Sequence, residues 1–482
     1  MEPVVLEVQR SRYAPCPPEK FAGRTTERRR IREILSGPPD AGRALVVSGA
    51  AGAGKTSLLH WIVHEAGRDR AVLGWFSPTE GLIFSAWREV LAGMRGSGFR
   101  SAESEPALKA LADHLDRYTA PVHPVGMLAR VGEEVIGVFA DIGAAGFDEV
   151  VSASLAAFER VGDAARQSGG RLVLLLDDLQ CASEPDFRLA LELMRHLPAG
   201  IVIVVAWEGG DGDDGRYRAL QSAGGEAMPL STLDGSGVRE VARRRFDIVI
   251  AEETAEMLAR ELCTPFGLIA LFSLLLIRKR APDRESVAAL LPEIADPAAR
   301  VYIEAEPVWQ QRARTLSILN PPVPGVIAAC ILETERLSLQ RISAELEQSP
   351  FFRRAGANTY DFAHPLLREC CRAMVSEREQ TDLHADAVRC FERFADRLSD
   401  RQHALVSLAV HLIGAGEYAK AFALCLELGR RYCEIGAYAA ARRLTDQATL
   451  AAEKEGDTGS LAAAHEQQES IRRARSGAGE MW

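Results

Sequence analysis

Eight consecutive residues, Gly49-Ala50-Ala51-Gly52-Ala53-Gly54-Lys55-Thr56, fit G-x-x-x-x-G-K-[ST] at every position. Glycine and alanine let main-chain N–H groups crowd around phosphate oxygens, and a helix opening there adds the positive end of its dipole. Lys55 then bridges the β- and γ-phosphates, the Thr56 hydroxyl ligates magnesium, and Ser57 completes the phosphate-binding set. Roughly 120 residues on, "RLVLLLDDLQ" (Arg171 to Gln180) runs five apolar residues straight into Asp177 and Asp178. Two carboxylates at the mouth of a buried strand suit a cation and a proton-transfer task. Asp177 would hold magnesium, through water, and Asp178 would orient and polarise an attacking water. The plain alternative is a pair of solvated loop acids.

The elements that must position these groups are legible nearby. Ala44 to Ser48 is a short apolar strand, and the spacing of Leu58, Leu59, Ile62 and Val63 opens a helix after the loop. Ala71 to Phe76, "AVLGWF", reads as a strand intervening between the loop and the acid pair. An inserted strand with a second acid points to the ATP-hydrolysing branch of phosphate-loop proteins. No [NT]KxD guanine-reading motif occurs, so ATP and ADP with magnesium are the expected ligands.

The 482 residues allow two to four domains, each able to bury a core. A hydrophobic fraction of 47% with 26% charged residues is that of an ordinary globular protein. A net charge of −10 argues against a surface that coats nucleic acid generally. The nine cysteines show no CxxC and no zinc-like spacing with histidine, and they read as reduced thiols in a cytoplasmic protein. The N-terminus has no signal sequence. The apolar run from Phe266 to Ile277 is too short for a bilayer and reads as a buried helix.

Several further stretches resemble the STAND ATPases (signal-transduction ATPases with numerous domains), in particular the ATPase module of large LuxR-type bacterial transcriptional regulators. "FAGRTTERRRIREIL" matches that group's F-x-G-R-x-x-E lead, and the resemblance places the Gly23-Arg24 turn near the adenine. "DDLQCASEP" is similar to D-D-L-[QH]-W-A-D, with Cys181 and Ser183 replacing Trp and Asp. "GIVIVVAWEGG" looks like the sensor strand beside the acid-bearing strand. That strand usually ends in an arginine facing the γ-phosphate, and Glu208 stands here instead, which puts sensing and hydrolysis in question. Arg239, Arg243, Arg244 or Arg245 could substitute, or could form a solvated helix face. "LARELCTPFGLIALFSLLL" resembles the family's G-N-P-L segment, where the proline packs over the nucleotide; Pro265 also has ordinary helix-start chemistry.

Next, "RARTLSILN", "PGVIAACIL" and "LSLQRISAELEQ" read as helices and "FFRRAGANTYDFAHP" as a β-wing, together a winged helix. Arg341 beside Glu345 and Glu347 would face DNA phosphates badly, so a structural lid is preferred to a DNA reader. "YDFAHPLLREC" is similar to F-x-H-[DP]-L-L-R-[ED], whose histidine touches the β-phosphate of ADP and keeps the protein closed. His364 could take that part, or be a packed or capping residue. From about Thr381 the chain is helical. Gly-x-Tyr-Ala-x-Ala recurs at Gly416 and Gly436, as in tetratricopeptide-like hairpins.

The expected fold is an α/β P-loop NTPase with a parallel sheet flanked by helices, followed by an all-α lid, a winged-helix domain and TPR-like repeats. Its boundaries are an extension over 1–18, the ATPase domain 19–232, the lid 233–295, the winged helix 296–378 and the tail 379–482. The resemblance spans about residues 19–460 and lacks the regulators' output module. It implies a nucleotide-controlled switch, slow in hydrolysis, with a protein partner or inducer at the tail and nucleotide-dependent self-assembly. Direct DNA binding and membrane association are not expected. Two rivals remain: an AAA+ DNA-binding initiator of the origin-recognition type, and a scaffold that binds nucleotide without turnover. "GGDGDDGRYRALQSAGGE", Gly209 to Glu226, lacks an EF-hand pattern and reads as a surface loop, as does "RYTAPVHPVGM".

Overall fold

Central strands with few or no exposed side chains force helices onto both faces of one five-stranded sheet. In β1 (Arg43–Gly49), β3 (Leu172–Asp177) and β4 (Ile201–Glu208) nearly every residue is buried, the signature of a parallel sheet covered on both sides. With β2 (Ala71–Trp75) and β5 (Gly225–Pro229) they pair in parallel in the order β2-β3-β4-β1-β5. This computed structural model describes residues 18–76, 84–118, 147–209, 214–262, 265–277, 279–291, 302–303, 305–332, 339–347, 349, 351–354, 358–363, 365–394, 398, 401–434 and 437–479.

Alternation along the strands splits the core in two. Leu45, Val47, Val173, Leu175, Val202 and Val204 face α1 (Thr25–Ser36) and α2 (Lys55–Ala66). Val46, Leu174, Leu176, Ile203 and Val205 point the other way. They join a core shared with α3 (Ser85–Gly96), α4 (Glu105–Tyr118), α5 (Phe147–Gln167) and α6 (Glu184–Arg195). Gly74 lets α3 approach β2, since a Cβ there would sit 2.8 Å from Val90 Cγ2.

The strand expected in sequence between the loop and the acid pair is β2, and β4 lies beside the acid-bearing β3 as expected. Within the sheet β4 separates β1 from β3 and β2 takes the edge. The most apolar strand belongs in the middle, and β4 is buried through Trp207 whereas β2 alternates. One expectation changes: the stretch from Gly209 to Glu226 is not a plain loop. It contains α7 (Gly215–Ser222) and the start of β5. Asp214 caps α7 by accepting from the Arg216 N–H at 2.9 Å, and Tyr217 and Leu220 are buried beneath it. Three nearby aspartates masked a two-turn helix whose signal is only those two apolar residues.

A second helical cluster, α8 (Gly235–Phe246), α9 (Glu252–Glu261), α10 (Pro265–Ile277) and α11 (Arg284–Leu290), closes around Leu258, Leu271, Phe272, Leu275 and Leu290. The apolar run of α10 is thus a buried helix. Beyond it come α12 (Pro307–Ser317), β6 (Val323–Pro324), α13 (Gly325–Ile331), α14 (Leu339–Glu347), β7 (Phe352–Arg354) and β8 (Thr359–Phe362). The three short strands form an antiparallel sheet in the order β6-β8-β7. On α14, Arg341 pairs with Glu345 at 3.5 Å and Arg312 of α12 reaches the same carboxylate at 3.0 Å, so these charges satisfy one another.

Helices α15 (Pro365–Ala373), α16 (Glu377–Phe394), α17 (Arg401–Gly414), α18 (Tyr418–Glu434), α19 (Tyr438–Glu455) and α20 (Thr458–Gly479) complete the chain. Both repeat tyrosines, Tyr418 and Tyr438, open a helix. Gly429 permits close packing here, because a Cβ would lie 2.7 Å from Thr445 Oγ1 on α19 and from Gln467 Nε2 on α20. One cysteine expectation is corrected: Cys330 of α13 and Cys390 of α16 form a disulfide, while Cys181, Cys370, Cys371, Cys425 and Cys433 keep their thiols. Sixty residues of separation gave no local signal of that pairing. Among the described residues no helix is long and apolar enough to cross a membrane.

Between α16 and α17, His384 Nδ1 and His411 Nδ1 lie 2.8 Å apart, and Phe391 stacks on His411. Burial holds His384 down at about 4, with Arg372 adding to the effect. Burial, then the charges of His384, Arg368, His403 and Arg372, holds His411 well below its usual value. An unfolded chain takes up the His384 proton near 6.5, whereas the folded tail does not until about 4. Unfolding therefore binds protons in that window, and these groups make stability fall as pH drops from 6.5 toward 4. His384→Gln should flatten the dependence of urea-unfolding free energy on pH across that interval.

Candidate functional site

The strand β1 ends where α2 begins, and the turn between them gathers the loop residues at the sheet's C-terminal edge. Gly52 and Gly54 adopt left-handed backbone, φ 74° and 93°, which the turn requires and side chains resist. Lys55 is 6% exposed, and its ammonium donates to the Gly49 and Ala50 carbonyls at 2.9 and 3.0 Å. Gly49, Ala50, Ala51, Gly52, Ala53, Gly54, Lys55, Thr56 and Ser57 therefore form one continuous cradle and helix start.

β3 delivers the acids to the same edge. Asp177 is buried, and its Oδ1 has no hydrogen-bond partner. Burial, reinforced by Asp178, pushes its carboxyl up to about 7, against the opposing pull of Arg353, the Thr56 hydroxyl bonded to it, and Lys55. An orphaned buried carboxylate oxygen beside a threonine hydroxyl is the kind of hard-oxygen pair that suits magnesium. Among the described residues no group of three or more His, Cys, Asp or Glu side chains could hold a metal by itself. A cation at Asp177 and Thr56 would need further oxygens from a phosphate.

Asp178 follows in left-handed backbone, φ 56°, a costly position for a non-glycine residue. Its carboxylate is held on both sides: Oδ2 accepts from Trp75 Nε1 at 3.2 Å and Oδ1 from Gln180 Nε2 at 3.0 Å. Gln180 Oε1 in turn accepts from the Glu208 N–H at 3.2 Å. Glu208, half exposed at the end of β4, sits with Oε2 3.9 Å from Lys55 Nζ. The sensor-strand position thus places a carboxylate, rather than a guanidinium, against the loop lysine.

Arg24 is brought to the loop from the other side. Its Nη2 donates to the Ala53 carbonyl at 3.0 Å and its Nη1 to the Ser231 carbonyl, with Glu27 3.6 Å away. Arg24, Phe21, Ala53, Gly54, Ser57 and Pro265 line one pocket, together with Arg245 of α8. Of the arginines considered as substitutes, Arg239 and Arg244 instead pair with Glu252 and Glu240. His364, Cys263 and Thr264 lie outside the described residues, as does most of "RYTAPVHPVGM".

With loop, acids and sheet order in one place, the comparison with known families is decisive for this part of the chain. Residues 20–205 match the family model described as the AAA ATPase domain. The match takes in the glycine-rich loop and both acids. A search of curated proteins found no match. Among solved structures, similarity extends to a STAND protein with a tetratricopeptide repeat sensor from Pyrococcus horikoshii. It shares 15% identity over 94% of this chain and 68% of that one, with a TM-score of 0.40. The Orc1 protein of Aeropyrum pernix in complex with DNA shares 14% identity over 74% of this chain and 94% of that one, with a TM-score of 0.33. RuvB of Thermotoga maritima shares 16% over 70% and 92%, with a TM-score of 0.32.

Trp75, Gln180 and Arg353 escaped the sequence reading as site residues. Only Gln180 had a usable signal, its place in the D-D-L-Q run. Arg24→Ala should strip the Ala53 and Ser231 carbonyls of their partner and lower stability by roughly 1–3 kcal/mol in urea unfolding. Arg24→Lys should recover only part of that, since one ammonium cannot reproduce the guanidinium fork.

Proposed function

We propose that the chain is an ATP-binding, slowly ATP-hydrolysing switch of the STAND type. The observation that carries this is the meeting, at one sheet edge, of the glycine-rich loop with its buried lysine and the Asp177–Asp178 pair. The loop amides and Lys55 grip the phosphates. Arg24 shapes the loop, and the pocket it shares with Pro265 receives the base. Thr56 and Asp177 are the residues that would hold magnesium, whose charge would neutralise the β- and γ-oxygens. Asp178, fixed by Trp75 and Gln180, orients the attacking water and takes its proton.

In this reading the α8–α11 cluster is a lid, the α12–β8 unit is a winged helix serving as structure, and the tail is TPR-like and docks a partner or inducer. ADP with the lid shut is the resting state, with Lys55, Pro265 and His364 as its contacts. Exchange for ATP releases the lid and frees an assembly surface, and hydrolysis resets it. A role in bacterial transcriptional regulation follows from the family resemblance.

Glu208 favours one second reading, a scaffold that binds nucleotide without turnover, because a carboxylate beside Lys55 opposes a third phosphate. Steady-state phosphate release separates the two. Lys55→Ala should abolish nucleotide binding in calorimetry. Asp178→Asn should leave ATP affinity nearly intact and lower kcat by about 100-fold or more. Release that is absent from wild type, or unchanged in Asp178→Asn, would refute the hydrolytic assignment.

A further inference from the structure

The acid edge of the ATPase sheet is met by a charge from far along the chain. Arg353, on β7 of the antiparallel hairpin, places its guanidinium carbon 5.3 Å from the centroid of the Trp75 ring. Its Nη2 lies 3.3 Å from Asp361 Oδ2, the cross-strand neighbour on β8, which aims the side chain. Its Nε is buried and has no hydrogen-bond partner, so the group is held by the indole face and by Asp361. Trp75 is in turn the register partner of Asp177, and its indole N–H is the donor to Asp178 Oδ2. Arg353, Trp75 and Asp178 therefore stand in series. The same guanidinium bears on two other groups at this edge, Asp177 and the half-buried His60 of α2.

The arginine lies on the one ring whose N–H fixes Asp178, the residue assigned as the base. We propose that Arg353 is a positioning residue for Asp178, acting through Trp75, so that hydrolytic geometry depends on the β7–β8 hairpin being seated against the sheet. This rests on the hydrolytic reading above and adds a regulatory input to the same site. The guanidinium on its outer face helps hold the indole in the orientation that donates to Asp178. When the hairpin leaves, the ring is free to turn, and Asp178 loses one of its two fixing donors. Displacing a base in this way slows chemistry while leaving nucleotide binding, which depends on the loop, in place.

The test uses the full chain with Arg353→Met, Trp75→Phe and the double variant, in steady-state phosphate release. Methionine keeps the packing volume without charge; phenylalanine keeps the ring without the N–H. Each single change should lower kcat about tenfold with KM for ATP within about twofold of wild type. The double variant should be no slower than the slower single, because the two act in series. Arg353→Lys should restore part of the rate. Unchanged kcat, or losses that multiply in the double variant, would overturn the proposal. Should wild type release no phosphate, the hydrolytic reading fails on its own account. The contact is then read by urea unfolding of Arg353→Met, Trp75→Leu and their combination. A combined loss of stability smaller than the sum of the two supports the Arg353–Trp75 link, and strict additivity removes it.

Discussion

A buried ammonium has to be surrounded by oxygen, and Lys55 finds its oxygens on the loop just before it. The Gly49 and Ala50 carbonyls bind Nζ, so the side chain ties the loop's shape to the first turn of α2. Main-chain carbonyls that turn inward toward the lysine leave the N–H groups of the loop on the other side, where an anion belongs. Arg24 works on the same loop from outside by taking the Ala53 carbonyl. Two cations, both largely buried, thus fix the geometry of a segment with almost no side chains of its own.

The opposite wall is made of acids whose environments differ although they are adjacent. Asp177 ends a strand and is sealed from water, so its carboxyl is pushed up to about 7 by burial before any neighbour acts. Asp178 sits one residue on, in strained backbone, with donors on both oxygens. One acid keeps a bare buried oxygen and suits a cation, and the other is oriented and suits a water. Gln180 joins this wall to Glu208 and so to Lys55, which makes the site one connected polar network rather than two separate motifs.

The loop, the helix behind it and the acid-bearing strand were readable because each is local: a short motif plus an apolar run states its own structure. The long-range pairings were not. That β4, rather than β2, lies between β1 and β3 follows from which strand is apolar enough for the middle of the sheet. Trp75 and Arg353 are 278 residues apart by their numbers, and nothing in "GWF" or "FFRRAG" announces that they touch. The helix at Gly215–Ser222 was hidden because two buried residues in eight are too few to set a period. Cys330 and Cys390 are brought together only by the packing of α13 on α16.

That last bridge has a mechanical meaning. It stitches the short helix beside β6 to the first long helix of the tail, so the hairpin-bearing unit and the repeat array are covalently tethered at that point. A pull on α16 is therefore felt directly at α13, across sixty residues of sequence.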